Sequence, residues 1–264
     1  MLDQLLESLS RGRVFDLSQP YYVGMPHHPA HPPYLFGLTK AHGDQMRDGG
    51  VSSAAESIAL GGHVGPHIDA LCHFSKEDKL RGGVEAAAVQ SYVSGISRYG
   101  VDTIAPILRR GVLLDCARAQ GAEALGEDFV IDAELIEKTA REQAVEIRAG
   151  DVVLIRVGWD RYWERGAGYI NGGRQPGINA EAAQYLSSKG IFAAGSDNIA
   201  LEAIPSRTMP VHVHFLVERG MHIIEAMDLT PLAEARVWEF VFVAAPLKLK
   251  NATGAPIRPL AVAP

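Results

Sequence analysis

Short apolar runs recur along the second half of the chain and predict the strands of a sheet. The clearest run, 151–157, reads Asp-Val-Val-Leu-Ile-Arg-Val, and its β-branched, nearly all apolar composition is typical of a buried strand. Similar runs at 111–115, 191–195, 221–226 and 238–247 predict further strands. We expect these runs to form the core of one sheet.

Amphipathic segments with capping residues lie between these runs and predict helices. Asp132 is a candidate N-cap for a helix with apolar positions at Leu135, Ala140 and Ala144. Asn179 is the N-cap of a second helix that ends at Gly190. Pro210 begins a shorter helix that ends at Gly220, and 229–235 predicts a helical turn. Strand, helix and strand in succession indicate an α/β fold.

The first hundred residues carry weaker patterns. Leu2 to Leu9 predicts a short amphipathic helix, and 14–18 and 53–60 predict strands. The span 26–33 contains His27, His28 and His31 among four prolines. Histidine-rich tracts can bind metal, but the prolines favour a rigid surface loop here.

The histidines are concentrated in one short stretch. The segment 61–73 reads Gly-Gly-His-Val-Gly-Pro-His-Ile-Asp-Ala-Leu-Cys-His and holds three of the ten histidines. Gly65 and Pro66 exclude a regular helix between His63 and His67, because proline lacks a backbone N–H and restricts the residue before it. We therefore predict a tight turn that leads into an extended segment.

The alternation of an extended segment places His67, Asp69, Leu71 and His73 on one face. The turn lets His63 fold back over that face. Two imidazoles and one carboxylate at this spacing are typical ligands of a divalent cation such as Zn or Mn. His63, His67 and Asp69 are therefore the candidate metal ligands, and His73 is left free for proton transfer.

The same stretch resembles the H-x-G-T-H-x-D-x-P-x-H signature of the Putative cyclase family of metal-dependent hydrolases. This family includes bacterial kynurenine formamidases (arylformamidases) and isatin hydrolases. The signature's histidines and aspartate are matched by His63, His67, Asp69 and His73. Pro66 stands where the family has threonine and Leu71 where it has proline, and neither position is a ligand in the family. The resemblance extends from about 16 to 260, through Asp-Leu-Ser at 16–18, Gly-Met-Pro at 24–26 and the closing segment 254–259.

The resemblance also implies a second half of the site. In the kynurenine formamidase branch the aspartate of the signature bridges to a second ion, which a downstream histidine and glutamate complete. The matching residues are His212, with His214 as its rival, and Glu225. Glu225 lies in the apolar run 221–227, where an unpartnered carboxylate would be costly, so we predict a catalytic or metal-binding role. The isatin hydrolase branch resembles a one-metal site, so one or two ions are both open.

The implied function is hydrolysis of the C–N bond of an amide by a metal-activated water. The reaction would be deformylation of an aryl formamide or ring opening of an isatin-like lactam, with His73 as the proton carrier. The loop 26–33 borders the substrate pocket in the family, and we expect Tyr34, Phe36 and Trp159 to form its apolar wall. The alternatives are a lactone hydrolase on the same site and a non-catalytic protein that binds a metal or a small ligand.

The resemblance implies a swivelling β/β/α domain, in which helices flank a mixed, partly barrel-like central sheet. The sequence has no linker, repeat or shift in composition, so we expect 1–264 to form a single domain. The family also implies that the protein forms a homodimer or homotetramer. The binding partner that it implies is a small-molecule substrate.

Bulk composition narrows the function further. The formal net charge is −6 and no basic run is present, which argues against nucleic acid or an anionic membrane as partner. Two cysteines, Cys72 and Cys116, are too few for a disulfide scaffold, and we interpret Cys72 as a small buried apolar residue. The absence of a signal peptide or long apolar run predicts a cytoplasmic protein. Neither G-x-S-x-G nor G-x-G-x-x-G occurs, which excludes a serine esterase elbow and a dinucleotide fingerprint.

Overall fold

The computed structural model of the protein describes residues 12–263, so the predicted helix at Leu2 to Leu9 lies outside the described residues. The strands, numbered in chain order, are β1 Arg13–Asp16, β2 Leu35–Lys40, β3 Ala55–Ala59, β4 His67–Asp69, β5 Lys79–Leu80, β6 Val84–Glu85, β7 Gln90–Ser91, β8 Gly95–Ile96, β9 Ile107–Asp115, β10 Val130–Ile131, β11 Val152–Arg156, β12 Gly177–Ile178, β13 Ala193–Ser196, β14 His222–Glu225, β15 Glu239–Ala244, β16 Gly254–Pro256 and β17 Leu260–Ala263.

Helices connect the strands on both sides of the sheet. The α-helices are Ala86–Val89, Cys116–Ala119, Ala133–Glu142, Ala167–Ile170, Ala180–Ser188, Pro210–His212 and Thr230–Ala235. A π-helical segment, Val213–Arg219, continues from Pro210–His212 and ends at Gly220, whose φ is 69°. The 3₁₀ turns are Asp48–Gly50, Arg81–Gly83, Val101–Thr103, Asp160–Arg165 and Asn171–Gly173. Within residues 12–263 no helix combines the length and apolar character that crossing a membrane requires.

The central sheet has the strand order β1-β17-β15-β9-β11-β13-β14-β4-β16 and curls into a half-barrel. Its middle strands β9, β11, β13 and β14 are parallel, whereas the strands on both flanks pair antiparallel. This arrangement confirms the prediction of a mixed, partly barrel-like sheet flanked by helices.

The side chains of strand β11 pack in two hydrophobic clusters, one on each face of the sheet. Val153 and Ile155 pack in the cluster that contains the helices 133–142 and 180–188. Val152 and Leu154 point to the other face and pack in the second cluster with Phe242. Because both faces of the strand are covered, its sequence is apolar throughout instead of alternating.

The predicted helix caps form as expected. The carboxylate of Asp132 accepts a hydrogen bond from Leu135 N at 2.9 Å, and the side chain of Asn179 accepts one from Ala182 N at 2.9 Å. Each cap satisfies a backbone N–H that has no partner inside the helix. The helices between the parallel strands therefore begin where the sequence predicts.

Two strand boundaries and one unpredicted strand differ from the sequence prediction. Strand β9 begins at Ile107, four residues before the predicted run 111–115, and the run 238–247 gives a strand that stops at Ala244. Strand β2 was not predicted; it pairs with β3 as a separate two-stranded hairpin. The closing segment contributes β16 and β17, and β16 pairs with β4 beside the histidine-rich turn.

Candidate metal centre

A tight turn brings His63 over strand β4, as predicted. Gly65 has φ +68°, and a Cβ there would lie 2.6 Å from the Cζ atom of Tyr21. The hydroxyl of Tyr21 donates to the carbonyl of Pro66 at 2.8 Å and fixes the far side of the turn. Glycine is therefore required at position 65 both for its backbone conformation and for space.

The first group of donor atoms consists of His63, His67 and Asp69, all of them buried. His63 Nδ1 lies 2.8 Å from Asp69 Oδ1, and His67 Nε2 lies 3.6 Å from the same oxygen. One ligand atom from each residue lies within 4.8 Å of the others. The Nδ1–H of His67 donates to the carbonyl of Gly65 at 2.7 Å, which turns Nε2 toward the group.

The second group consists of Asp69, His212 and Glu225, which are also buried and satisfy the same 4.8 Å limit. His212 Nε2 lies 3.3 Å from Glu225 Oε1 and 3.8 Å from Asp69 Oδ2. The Nδ1–H of His212 donates to Glu202 Oε1 at 2.6 Å, so its Nε2 faces the two carboxylates. Asp69 thus belongs to both groups.

Sheet register brings the two groups together. Glu225 on β14 pairs directly with His67 on β4, and Gly254 on β16 pairs with Asp69. His214, the rival of His212, instead contacts Ser187 Oγ at 2.8 Å and Glu218 at 3.1 Å. The structure therefore places His212, and not His214, beside Asp69.

Close packing of the backbone holds His63 in place. Its Nε2 lies 2.8 Å from the hydroxyl of Thr253, and a Cβ at Gly254 would lie 2.5 Å from its Cε1 atom. The imidazole of His63 therefore lies flat against the closing segment of the chain. Any side chain at position 254 would displace it.

Electrostatics at the centre favour positive charge. Burial alone would raise the pKa of Asp69, but the imidazoles of His73 and His63 hold it well below its usual range. Burial would lower the pKa of His212, but the carboxylates of Glu202 and Glu225 raise it to about 10. Burial likewise opposes protonation of His67, yet Glu225 and Asp69 raise its pKa. Three buried carboxylates thus attract protons to the neighbouring rings.

The residues at this centre fit a divalent cation. Asp69 Oδ2 and Glu225 Oε1 are buried without a hydrogen-bond partner among the described residues, although buried acceptors are rarely left unpaired. Imidazole nitrogens and carboxylate oxygens are the donors that Zn and Mn accept. A cation bound here would neutralise the carboxylates and satisfy both unpaired oxygens.

His73 lies beside the centre, but the backbone that leads to it forms a turn and not the predicted extended segment. The chain leaves the extended conformation after Asp69, and His73 N donates to the carbonyl of Ala70 in a turn. Its ring nevertheless stacks on His63, with centroids 3.7 Å apart. Neither of its ring nitrogens is hydrogen-bonded within residues 12–263, and burial lowers its pKa well below the usual value. Leu71, predicted on the same face, is half-buried against the core.

A cavity of about 580 Å³ opens above both donor groups. Its polar floor is formed by His63, His67, His73, His212 and Glu225. Its apolar wall is formed by Phe74, Ile199, Ile204, Pro205 and Met209.

The cavity wall differs from the predicted one, because Tyr34, Phe36 and Trp159 do not line it. Tyr34 packs edge-on against Tyr21, with ring centroids 6.0 Å apart. Phe36 is exposed on β2, and Trp159 is buried in the core, where its indole N–H donates to the carbonyl of Tyr169. The segment 199–209 supplies most of the wall instead.

Sequence reasoning missed two residues that position the ligands. Glu202 lies in the apolar run 199–204, and the argument applied to Glu225 would also have identified it. Thr253 gives no local signal, since it lies 190 residues from its partner His63. Cys72 is buried as predicted, and burial raises the pKa of its thiol to about 11.

The fold and the centre define an α/β protein whose buried histidine and carboxylate groups, on the floor of a cavity, could hold a divalent metal. The family model described as Putative cyclase matches residues 15–203, and the chain belongs to this family. This finding confirms the resemblance that the signature at 63–73 indicated.

Individual proteins similar to this chain support its membership of the family. The isatin hydrolase of Roseibium aggregatum is 30% identical over 218 residues, which cover 78% of this chain and 74% of that protein. The kynurenine formamidase of Bacillus cereus is 25% identical over 243 residues, which cover 92% and 94%. A crystal structure of a novel cyclase superposes with a TM-score of 0.87 at 25% identity, covering 98% of this chain and 89% of that one.

Proposed function

We propose that this protein is a metal-dependent hydrolase that cleaves the C–N bond of an amide, with Zn or Mn as its ion. The observation that carries the proposal is the pair of donor groups that share the buried Asp69 and whose other members line the cavity. Relatives named isatin hydrolase and kynurenine formamidase support the reaction class. The ligands would be His63, His67, Asp69, His212 and Glu225. For Glu225 we therefore favour the metal-binding role over the purely catalytic role, both of which the sequence analysis left open.

A divalent ion held by these residues would supply a Lewis acid that polarises a carbonyl group and makes water more acidic. The chain's own residues handle the proton. His73 is uncharged near neutral pH because its pKa is lowered, and its ring nitrogens are free to accept a proton and to deliver it to the leaving nitrogen. Its stacking on His63 fixes the ring in that position.

The cavity favours a neutral, ring-containing substrate. Its wall is apolar, and no lysine or arginine of the described chain lines it. An amino-acid substrate would bring a carboxylate that needs a cationic partner. We therefore favour ring opening of a neutral cyclic amide over deformylation of an amino acid. A non-catalytic binding protein is less well supported, because it would have no use for the free ring of His73.

Metal analysis combined with an assay tests the proposal. His67→Ala should lose most of the bound metal and reduce turnover of isatin more than about 100-fold, because it removes a ligand. His42→Ala, which removes an exposed imidazole in the loop between β2 and β3, is the matched control and should keep both. Metal content is measured by mass spectrometry, and turnover is followed with and without chelator. Full activity of the metal-depleted His67→Ala protein would contradict the proposal.

A further inference from the structure

His31 is a further imidazole close to His63 and His73 at the candidate metal centre. Its ring centroid lies 5.1 Å from that of His63 and 6.3 Å from that of His73. The side chain is half-buried and lines the same cavity as the donor groups. The function proposed above assigns it no role.

The loop that carries His31 is anchored to the turn that carries His63. Gly61 N donates to the carbonyl of Pro32 at 3.4 Å, and a Cβ at Gly61 would lie 3.1 Å from Pro32 Cδ. His31 N donates to the carbonyl of His28 at 2.9 Å, which closes a turn within the loop. Prolines at 29, 32 and 33 further restrict the backbone. The imidazole is therefore held over the cavity by the backbone on both sides.

The ring of His31 has unused hydrogen-bonding capacity. Within residues 12–263, neither of its nitrogens has a hydrogen-bond partner, whereas both nitrogens of His63 and the Nδ1 atoms of His67 and His212 are engaged. An imidazole offers one donor and one acceptor in its neutral form. A ligand between the loop and the metal centre would meet these two groups.

We propose that His31 contacts the substrate and positions it, through a hydrogen bond from its imidazole to a polar atom of the ligand. The proposal rests on the proposed function for the identity of the ligand, a neutral cyclic amide. Such a ligand has a carbonyl acceptor and an N–H donor on adjacent atoms, and its ring faces the apolar wall at Phe74 and Ile204. His31 and the metal centre then hold the amide from opposite sides.

Binding of oxindole, a bicyclic lactam without the activating ketone of isatin, tests the contact on the manganese-loaded protein. His31→Ala and His31→Phe should each weaken binding about five- to tenfold, because one hydrogen bond is lost. His31→Gln retains a donor and an acceptor and should stay within about twofold of the wild type. His27→Ala changes a histidine of the same loop that does not line the cavity, and should bind normally. Isothermal titration calorimetry measures the affinities, and metal content is checked for every variant.

Steady-state kinetics with isatin give a second readout. A contact made equally in the ground state and the transition state should raise KM about five- to tenfold in His31→Ala and leave kcat within about threefold. Unchanged oxindole affinity in His31→Ala, wild-type affinity in His31→Phe, loss of metal from these variants, or no oxindole binding to the wild type would each overturn the proposal. If oxindole binds as expected but no amide is hydrolysed, the proposed function fails and the assignment of His31 stands.

Discussion

Asp69 contacts every other residue of the two donor groups except Glu225. Its Oδ1 faces His63 and His67, and its Oδ2 faces His212 without a hydrogen bond. One carboxylate therefore ties the turn at 63–69 to a helix more than a hundred residues away. The assignment of His212 as a ligand depends on this geometry and not on the type of residue alone. His214 is also a histidine and lies only two positions further along, yet it does not face Asp69.

Paired alanine substitutions separate these two histidines. His212→Ala should reduce metal affinity and turnover by more than about 100-fold, because it removes a donor atom and leaves buried Glu202 with only the backbone N–H of position 212 as its donor there. His214→Ala removes a ring that contacts Ser187 and Glu218 outside the centre, and should leave metal affinity within about twofold. Metal titration against a competing chelator measures both. Equal losses in the two variants would contradict the placement of His212.

Residue spacing by itself revealed only the part of the centre that is formed by neighbours in the chain, whereas His212 and Glu225 were identified through the family resemblance. His63, His67 and Asp69 lie in one bend, so their spacing alone indicated that they could meet. Glu202 lies ten residues before His212 with no regular spacing that relates the two, and Thr253 lies 190 residues after His63. The predicted aromatic wall does not line the cavity for a related reason. Trp159 follows a buried strand, and the strand's own sequence does not show whether the next side chain packs in the core or faces a cavity.

Secondary structure was predictable where local chemistry determines it. The caps at Asp132 and Asn179 depend on residues within one turn, and both form. Strand β2, Leu-Phe-Gly-Leu-Thr-Lys, lacks alternation, so its pairing with β3 could not be anticipated. Strand β9 begins directly after Pro106, which lies outside the strand and so does not remove a donor from its hydrogen bonds.

The β2–β3 hairpin supports the expectation of a homo-oligomer, which we propose here. Phe36 and Ile58 pair across the hairpin, and about half of each side chain is exposed, 51% and 56%. Leu35 and Leu38 are exposed as well. An isolated two-stranded hairpin is marginal in water, and an exposed apolar pair gains most by packing against a second copy of the same hairpin.

The double variant Phe36→Asp, Ile58→Asp should convert the assembly to monomers at micromolar concentration, because four buried charges would face one another in a dimer. Thr39→Asp adds a charge to an exposed polar position of the same strand and serves as the control. Light scattering coupled to size-exclusion chromatography gives the mass. A wild-type protein that elutes as a monomer would refute the proposal.

The stability of the whole molecule should depend on pH through one acidic pair, Asp160 and Asp228. Burial and the neighbouring carboxylate of Asp160 raise the pKa of Asp228 to about 7, from 3.8. Between pH 4 and 7 the folded protein then binds more protons at this site than the unfolded chain, so this residue lowers stability as the pH rises through that window. Asp228→Asn mimics the protonated form at every pH.

We expect Asp228→Asn to melt about 2–4 °C above the wild type at pH 8, corresponding to roughly 1 kcal/mol for a partly exposed group, and to match it near pH 4. Glu234→Gln removes an exposed carboxylate from the nearby helix and should give no such pH-dependent difference. Calorimetric melting curves across this range measure the effect. A constant offset between wild type and variant at all pH values would contradict the assignment to Asp228.

The pairing of β4 with β16 has a consequence for biosynthesis. The turn at 63–69 leaves the ribosome long before the backbone that supports His63, at Thr253 and Gly254. Contacts between such distant segments are closed late, since the chain must first lose the entropy of a very long loop. The nascent protein therefore carries an unfinished centre until the segment around 253–254 has left the ribosome, and ion capture is expected to follow that event.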